Sequence, residues 1–315
     1  MKVTSPAALL AACTLAACST AFAIDFGGTL TDNGAYFNSI GYNATFGDAA
    51  LKAPGTASTG IDQLYKNCWY YRPSFSTTIR RFGNLGDPVS TYVGNTHTAT
   101  WSSTGPFGGS FSAKVKTVLT GYGPSADRAL LQMTVTITNL EATTITHNIY
   151  YALDADIGGS ASPTDDIVTL NSPTDKNKYR ITDSSGGFFE VATSGVNRYA
   201  LGLSADTWKK ANTNGFLDFT NTGSGTSGDV SGIQQWTFTL APGQSKTLKV
   251  GVGLNTAAII PCDGDFNKDG FLDFTDFDAF VTAFEEGSAS SDFNADGFLD
   301  FTDFDAFVAA FEAGC

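Results

Sequence analysis

The chain has few of the side chains on which common catalytic machinery depends. It contains two histidines, His97 and His147, and has no H-E-x-x-H motif, no G-x-S-x-G motif and no phosphate-cradling glycine loop. Zinc proteases, α/β-hydrolases and P-loop enzymes are therefore excluded at the level of motifs. A glycosidase needs only two carboxylates across a cleft, so that class stays open.

Long apolar runs are also missing. After the N-terminus, no segment approaches the roughly 18 apolar residues that a membrane-spanning helix needs. The first 23 residues carry Lys2, an Ala/Leu stretch and Ala21-Phe22-Ala23, which together predict a signal peptide cleaved after Ala23. Residues 15–18, Leu-Ala-Ala-Cys, also fit a lipobox, so lipid attachment at Cys18 is the alternative to the favoured soluble export. The sequence predicts an extracellular or cell-surface protein without a transmembrane segment.

Basic residues are almost absent from the C-terminal region. Residues 262–315 hold fourteen acidic side chains and one basic side chain, Lys268, so this segment carries the whole net charge of −13. Such a surface repels nucleic acid and anionic lipid, and it attracts cations. We therefore expect no nucleic acid partner.

Period-two alternation dominates the larger part of the chain. Residues 129–138 place Ala129, Leu131, Met133, Val135 and Ile137 on one apolar face, and residues 111–119 alternate in the same way. Further predicted strands are 144–153, 179–182, 188–192, 199–203, 234–240 and 246–254. With almost no helical periodicity, residues 24–258 predict a mainly β domain, an antiparallel β-sandwich.

The C-terminal region contains an internal repeat with a period of 27 residues. Residues 265–287 and 292–314 match at twenty of twenty-three positions, and each copy opens with D-x-N-x-D-G-x-x-D-x-x-D. Calcium takes six to eight oxygens, which a twelve-residue loop supplies from positions 1, 3, 5, 7, 9 and 12. The predicted ligands of two calcium ions are Asp265, Asn267, Asp269, the Phe271 carbonyl, Asp273 (through water) and Asp276, and then Asp292, Asn294, Asp296, the Phe298 carbonyl, Asp300 and Asp303.

A helix is predicted after each loop, because phenylalanines and a valine recur at i, i+3, i+4 and i+7. The T-x-x-D signatures Thr275 with Asp278 and Thr302 with Asp305 predict the helix starts, and Gly287 and Gly314 predict the ends. The similar residues 212–221 lack acidic residues at key positions and a following helix, so no third site is expected. The fold prediction is a β-sandwich followed by a small α-helical tandem calcium loop–helix module.

This duplicated loop–helix unit resembles a type I dockerin, and the final Gly314-Cys315 resembles the subset of modules that end in Gly-Cys. The resemblance covers 54 of 315 residues. It implies calcium-dependent docking onto a cohesin-like receptor or surface scaffold, often within a polysaccharide-degrading assembly. It also implies that loop positions 10 and 11, here Phe274-Thr275 and Phe301-Thr302, contact the partner. Basic residues that often assist are absent from both helices. Residues 240–246 more weakly resemble the closing hairpin of bacterial immunoglobulin-like sandwiches.

Three cysteines follow the predicted signal peptide. Cys262 and Cys315 bracket the acidic module and are predicted to form a disulfide in an oxidising compartment, which leaves Cys68 unpaired and buried.

Two features of the large domain invite a functional interpretation. Asp154 and Asp156, with Asp165 and Asp166 nearby, are interpreted as a strand end entering a polar loop rather than as catalytic carboxylates. Residues 69–72, Trp-Tyr-Tyr-Arg, suit a sugar-stacking platform, but alternation favours core packing. His97 is interpreted as a loop residue.

Together these patterns predict an exported calcium-binding protein whose non-catalytic β-sandwich is docked or anchored through its C-terminal module. The alternative is a glycoside hydrolase or a carbohydrate-binding component of a dockerin–cohesin assembly, with polysaccharide as the ligand.

Overall fold

A computed structural model describes residues 29–39, 49–53, 63–86, 88–103, 107, 109–158, 164–211, 218–267, 272–294 and 297–314. The predicted signal peptide lies outside these residues. The strands are Thr29–Asp32 (β1), Ala35–Ser39 (β2), Ala49–Lys52 (β3), Leu64–Pro73 (β4), Arg80–Arg81 (β5), Val89–Val93 (β6), Thr96–Trp101 (β7), Phe111–Gly121 (β8), Ala129–Asn139 (β9), Ile145–Ala155 (β10), Asp166–Leu170 (β11), Lys178–Thr182 (β12), Phe188–Thr193 (β13), Arg198–Leu203 (β14), Thr226–Gly228 (β15), Val230–Leu240 (β16) and Ser245–Leu254 (β17). The α-helices are Ser204–Ala211 (α1), Phe274–Glu285 (α2) and Phe301–Ala313 (α3).

Two large antiparallel sheets form the sandwich, which confirms the predicted fold class. One sheet has nine strands in the order β15-β11-β12-β13-β17-β9-β8-β7-β6, and the other has five in the order β14-β16-β10-β4-β5. A small sheet of β1, β2 and β3 packs against the nine-stranded sheet, where the Asp32 carboxylate accepts the Gly121 N–H at 2.8 Å.

The predicted alternation accounts for the main core. The apolar face of β9 is buried, while Gln132, Thr134 and Thr136 stay partly accessible. The five-stranded sheet behaves differently, since nearly every residue of β4 and β10 is buried. Its Trp69 and Tyr71 join the core between the sheets, whereas Tyr70 joins a second cluster with Ala211 at the end of α1. Because both faces of this sheet are covered, its strands do not show a regular alternation of apolar and polar residues.

The weak resemblance to a closing hairpin is wrong. β16 and β17 flank the turn at Pro242-Gly243, but β16 pairs with β10 and β14, while β17 pairs with β9 and β13. The turn therefore crosses from one sheet to the other. Asn139 holds this crossing, because its side chain donates to the Leu240 carbonyl at 2.9 Å and its backbone pairs with Gly243 and Gln244.

His97 is not a loop residue. It lies in β7, is almost fully buried, and stacks on Tyr92 with ring centroids 4.4 Å apart. The threonine-rich stretch around it offered little apolar contrast, so its strand went unpredicted.

The segment after β17 runs back over that strand. A Cβ at Gly251 would lie 2.2 Å from the Ile259 carbonyl oxygen, so glycine permits this close approach. The buried Glu190 carboxylate accepts the Ala258 N–H at 3.1 Å and pairs with Lys178 and Arg180, each at 2.7 Å. This connection leads into the tail, a name used here for residues 262–314.

The two helices of the tail pack through a symmetric set of phenylalanines. Phe280 of α2 and its repeat equivalent Phe307 of α3 stack with centroids 4.2 Å apart and rings 6° from parallel. Phe266 from the first repeat packs on Phe307, and Phe293 from the second packs on Phe280, with centroid distances of 6.1 and 6.0 Å. Each of these two phenylalanines also packs on the helix of its own repeat, at 5.3 and 5.6 Å, so both repeats contribute to one shared core. None of the helices in the described part of the chain is sufficiently long and apolar to span a membrane.

Candidate functional site

In both repeats the aspartate at loop position 12 makes the same hydrogen bonds within its loop. Asp276 and Asp303 are fully buried. Asp276 accepts the N–H of Asn267 at 3.1 Å through Oδ1 and that of Asp273 at 3.0 Å through Oδ2. Asp303 accepts from Asn294 and Asp300 at the same distances. In each repeat one carboxylate therefore ties positions 3 and 9 of the loop together.

The helix caps differ from the predicted ones. Asp273 and Asp300 are the N-cap residues, and Asp276 and Asp303 complete the capping boxes. The T-x-x-D pairs were wrong because both helices begin before Thr275 and Thr302, whose backbone N–H groups donate to the cap carboxylates at 2.8 Å. Loop positions 9 and 12 thus serve the loop and the helix start together. The helix ends at Gly287 and Gly314 are confirmed, with φ of 69° and 74°.

Position 6 shows the turn that the motif requires. Gly297 has φ of 88°, a left-handed conformation that favours glycine, and its N–H donates to Oδ2 of Asp292 at 3.0 Å. In the first loop the Asn267 amide donates to the Thr275 hydroxyl at 2.9 Å, and Asn294 and Thr302 repeat this contact. Hydrogen bonds from side chains within each loop therefore help to hold its conformation.

The predicted ligands fit a hard cation in donor type, since all of them are carboxylate, amide or carbonyl oxygens. Asp269, Phe271 and Asp296 lie outside the described residues. Within the part of the chain that the structure describes, no three Asp, Glu, His or Cys side chains form a group placed to hold a metal. Calcium binding by the loops stays a prediction.

The predicted partner-binding positions are accessible. Phe274 and Phe301 are 81% and 78% exposed, and Thr275 and Thr302 beside them are also exposed. Both predicted contact positions are therefore open to solvent.

The ends of the tail come together. A Cβ at Gly264 would lie 3.0 Å from Cα of Phe311 near the end of α3. Cys262 is disulfide-bonded, and its predicted partner Cys315 lies outside the described residues, so their pairing stays a prediction. Cys68 is buried as predicted and is not in a disulfide; burial raises the pKa of its thiol.

Residues 69–72 form core structure and no sugar platform. Trp69 lies 4.9 Å from Tyr151 and 6.0 Å from Trp236 between ring centroids, and all three rings are buried. The Tyr71 hydroxyl lies 2.9 Å from Nδ1 of His147, whose pKa burial lowers to about 4. The core-packing interpretation is confirmed.

Several aspartates of the sandwich lie at one end of it. Asp154 lies next to the end of β10 and is buried. Its carboxylate accepts the Ser204 hydroxyl at 2.5 Å and forms an ion pair with Lys66 at 3.9 Å. Burial raises its pKa to about 7. Asp156 follows the strand directly, so the strand-end interpretation agrees with the fold. A carboxylate this inaccessible does not line a substrate cleft.

Asp166, Asp183 and Asp229 belong to the same end, and sequence reasoning missed the last two. Asp166 starts β11, Asp183 follows β12 and Asp229 lies between β15 and β16. They are up to 63 positions apart along the chain, and only the strand pairing brings them close. Burial first, and then Asp183, raise the pKa of Asp166 to about 7.

Comparison with known proteins assigns this chain to no family. No family model matches the sequence, and no curated protein matches it either. A galactose mutarotase-like protein from Lactobacillus casei ATCC 334 aligns over 72% of this chain and 99% of its own, with 11% identity and a TM-score of 0.45. A putative aldose 1-epimerase from Escherichia coli K12 aligns over 72% and 98%, with 10% identity and a TM-score of 0.41. At these values the likeness carries no argument about activity.

Proposed function

We propose that this chain is an exported docking protein, whose tail binds two calcium ions and attaches the β-sandwich to a cohesin-like receptor or surface scaffold. One observation carries the proposal. The repeats present Phe274 and Phe301 to solvent from equivalent positions, each directly after an N-cap carboxylate of a closed acidic loop.

The spacing of the loop aspartates supports the calcium part of this proposal. Aspartates 265, 269, 273 and 276, and their equivalents in the second loop, would bring four carboxylates to one small volume. Like charges that close do not all stay ionised without a counter-cation. Calcium would supply that charge, and Asp276 and Asp303 would hold the ion while keeping the loop ends together.

A binding experiment with the full chain tests the docking part. Purified cohesin-type domains are immobilised, and binding is measured in calcium and then in chelator. We expect binding only in calcium, and its loss in the double variant Phe274→Ser/Phe301→Ser, which alters no predicted ligand. The matched control is Phe75→Ser, a sandwich phenylalanine that is 60% exposed. Binding that persists in the double variant or in chelator would overturn the assignment of this surface, and no binding to any such domain would exclude the receptor class.

A second candidate function, glycan binding by the sandwich, has one feature in its favour. The exposed Phe75 borders a groove with Glu141, Thr143 and Thr144, which offers an apolar face beside polar groups. A glycan array probed with the full chain and with Phe75→Ala tests this idea. Loss of a signal in the variant, without release of reducing sugar, favours binding. Release that depends on Asp154 or Asp156 would favour the hydrolase alternative instead.

A further inference from the structure

The buried carboxylate of Asp166 in the sandwich lacks a hydrogen-bond donor among the described residues. Asp166 is fully buried, and neither of its oxygens has a hydrogen-bond partner among the residues that the structure describes. Burying an ionised carboxylate costs several kcal/mol unless it is paired or hydrogen-bonded. Asp154 at the same end of the sandwich has Ser204 and Lys66. An ionised Asp166 therefore requires a positive charge or a hydrogen-bond donor, both of which Asp154 already has.

Strand register brings more carboxylates to Asp166. In the β11–β12 pair Ile167 stands opposite Thr182, so the next step along both strands sets Asp166 opposite Asp183. In the β11–β15 pair Asp166 stands opposite Gly228, which sets Asp165 opposite Asp229. Cα atoms of opposed residues lie about 4.5–5.5 Å apart in antiparallel sheets. Asp166 and Asp183 thus stand opposite each other on one face at the strand ends, and Asp165 and Asp229 occupy the next opposed pair of positions, on the other face.

The surroundings of Asp166 add to its need for positive charge. After burial, its leading electrostatic influences are Asp183, Asp165, Asp156 and Asp229, and all of them are acidic. Asp183 is itself almost buried and accepts the Ser185 N–H at 2.7 Å. The Ser184 hydroxyl donates to Asp165. These hydrogen bonds hold the neighbouring carboxylates in place without reaching Asp166.

We propose that Asp166 and Asp183 hold a hard divalent cation of the calcium type, with Asp165 and Asp229 at the rim of the site. The donor set contains oxygen alone, which suits calcium. No three metal-ligating side chains in the described ranges are already arranged around one point. Main-chain carbonyls and water therefore complete the ion's coordination, as calcium accepts. The site uses no residue of the tail and does not depend on the docking function.

Tryptophan fluorescence separates this site from the tail. All four tryptophans precede residue 259, and residues 262–315 contain neither tryptophan nor tyrosine. Thermal unfolding of the full chain, followed by tryptophan emission, therefore reports on the sandwich. The probe is calcium alone, added to chelator-treated protein. We expect calcium to raise the unfolding midpoint of the wild type by mass action.

The substitution Asp166→Asn keeps the side-chain shape and removes the charge. We expect it to abolish the calcium-dependent rise in the midpoint and to lower bound calcium by one equivalent. Glu141→Gln is the matched control, because this exposed carboxylate lies between β9 and β10 at the opposite end of β10 from Asp154. It should keep the full response. Should Asp166→Asn not fold, Asp183→Asn takes its place with the same expected loss.

A tryptophan-detected midpoint that calcium does not move in the wild type would overturn the proposal, and so would an unchanged response in the folded variant. The fate of the tail is read separately by helical circular dichroism. If calcium shifts the tryptophan-detected midpoint but not the helical signal, the site at Asp166 is supported and calcium binding by the tail is overturned. If calcium changes the helical signal alone, the site at Asp166 is overturned and calcium binding by the tail is supported.

Discussion

The sandwich and the tail use aspartate in opposite ways. In the sandwich, Asp154 and Asp166 are buried among strand ends, and burial raises the pKa of each carboxyl to about 7. In the tail, the Thr275 hydroxyl lowers the pKa of Asp273, and the Asp300 N–H lowers that of Asp303. The difference is one of balance. At Asp154 the effect of burial on the pKa outweighs the Ser204 hydroxyl and Lys66, and Asp166 has no hydrogen-bond donor among the described residues, whereas at Asp273 and Asp303 the N–H and hydroxyl donors outweigh burial.

The largest effect is expected where a tail carboxylate ties its loop together. Asp303→Ala removes two charge-assisted hydrogen bonds to backbone N–H groups, together with the capping box of α3. We expect loss of one equivalent of bound calcium and of much of the tail's helical signal, with tryptophan-detected stability unchanged. Calorimetric calcium titration measures the first quantity and circular dichroism the second. Asp305→Ala, an exposed neighbour in the same helix, is the control. Full calcium binding by Asp303→Ala would remove position 12 from the ligand set.

The stability of the sandwich should depend on its aromatic core instead. Trp69→Ala empties a site between Tyr151, Trp236 and Phe82, so we expect a loss of about 3–5 kcal/mol in the free energy of unfolding. Denaturant unfolding detected by the remaining tryptophans measures it. Tyr65→Ala, an exposed position in the same strand, should change stability far less. An equally stable Trp69→Ala variant would contradict the core assignment.

A covalent link between the ends should stabilise the tail alone. If Cys262 and Cys315 are joined, Cys315→Ser should cost the tail about 2–4 kcal/mol and leave the sandwich unaffected. Peptide mapping without reduction should recover the linked pair. Recovery of Cys315 joined to another molecule would point to covalent anchoring of the protein instead.

The sandwich should also show a pH dependence of its own. The pKa of Asp154 is raised from 3.8 to about 7, so the folded state keeps a proton that the unfolded state releases. This contribution to stability is complete below the unfolded pKa and is lost as the pH rises toward 7, with a slope of up to about 1.4 kcal/mol per pH unit. Tryptophan-detected unfolding in chelator, compared between wild type and Asp154→Asn, measures it. A variant with the same slope as the wild type would assign the pH dependence to another group.

Some of this architecture is visible in the sequence and some is not. The strands of residues 111–119 and 129–138 were predicted because one face is buried and the other is not. β4 is buried on both faces, and only its residues 69–72 were interpreted from alternation. The crossing at Pro242-Gly243 could not be told from a hairpin, because a turn does not specify which strands pair. In the tail, repeat spacing revealed the loops and helix ends. The helix starts were misplaced because Asp273 and Asp300 act as loop residues and caps at once. Asp183 and Asp229 were missed because only strand register brings them to Asp166.

The central claim is that the tail folds through its metal, and helical circular dichroism of residues 262–315 in calcium and in excess chelator tests it most directly. A unit of this size has a small core, so the binding free energy of calcium should appear as folding free energy. We predict two bound equivalents of calcium and loss of most of the helical signal in chelator. Unchanged helicity in chelator would contradict the account, because the stacked Phe280 and Phe307 would then be holding the two helices together without the ion.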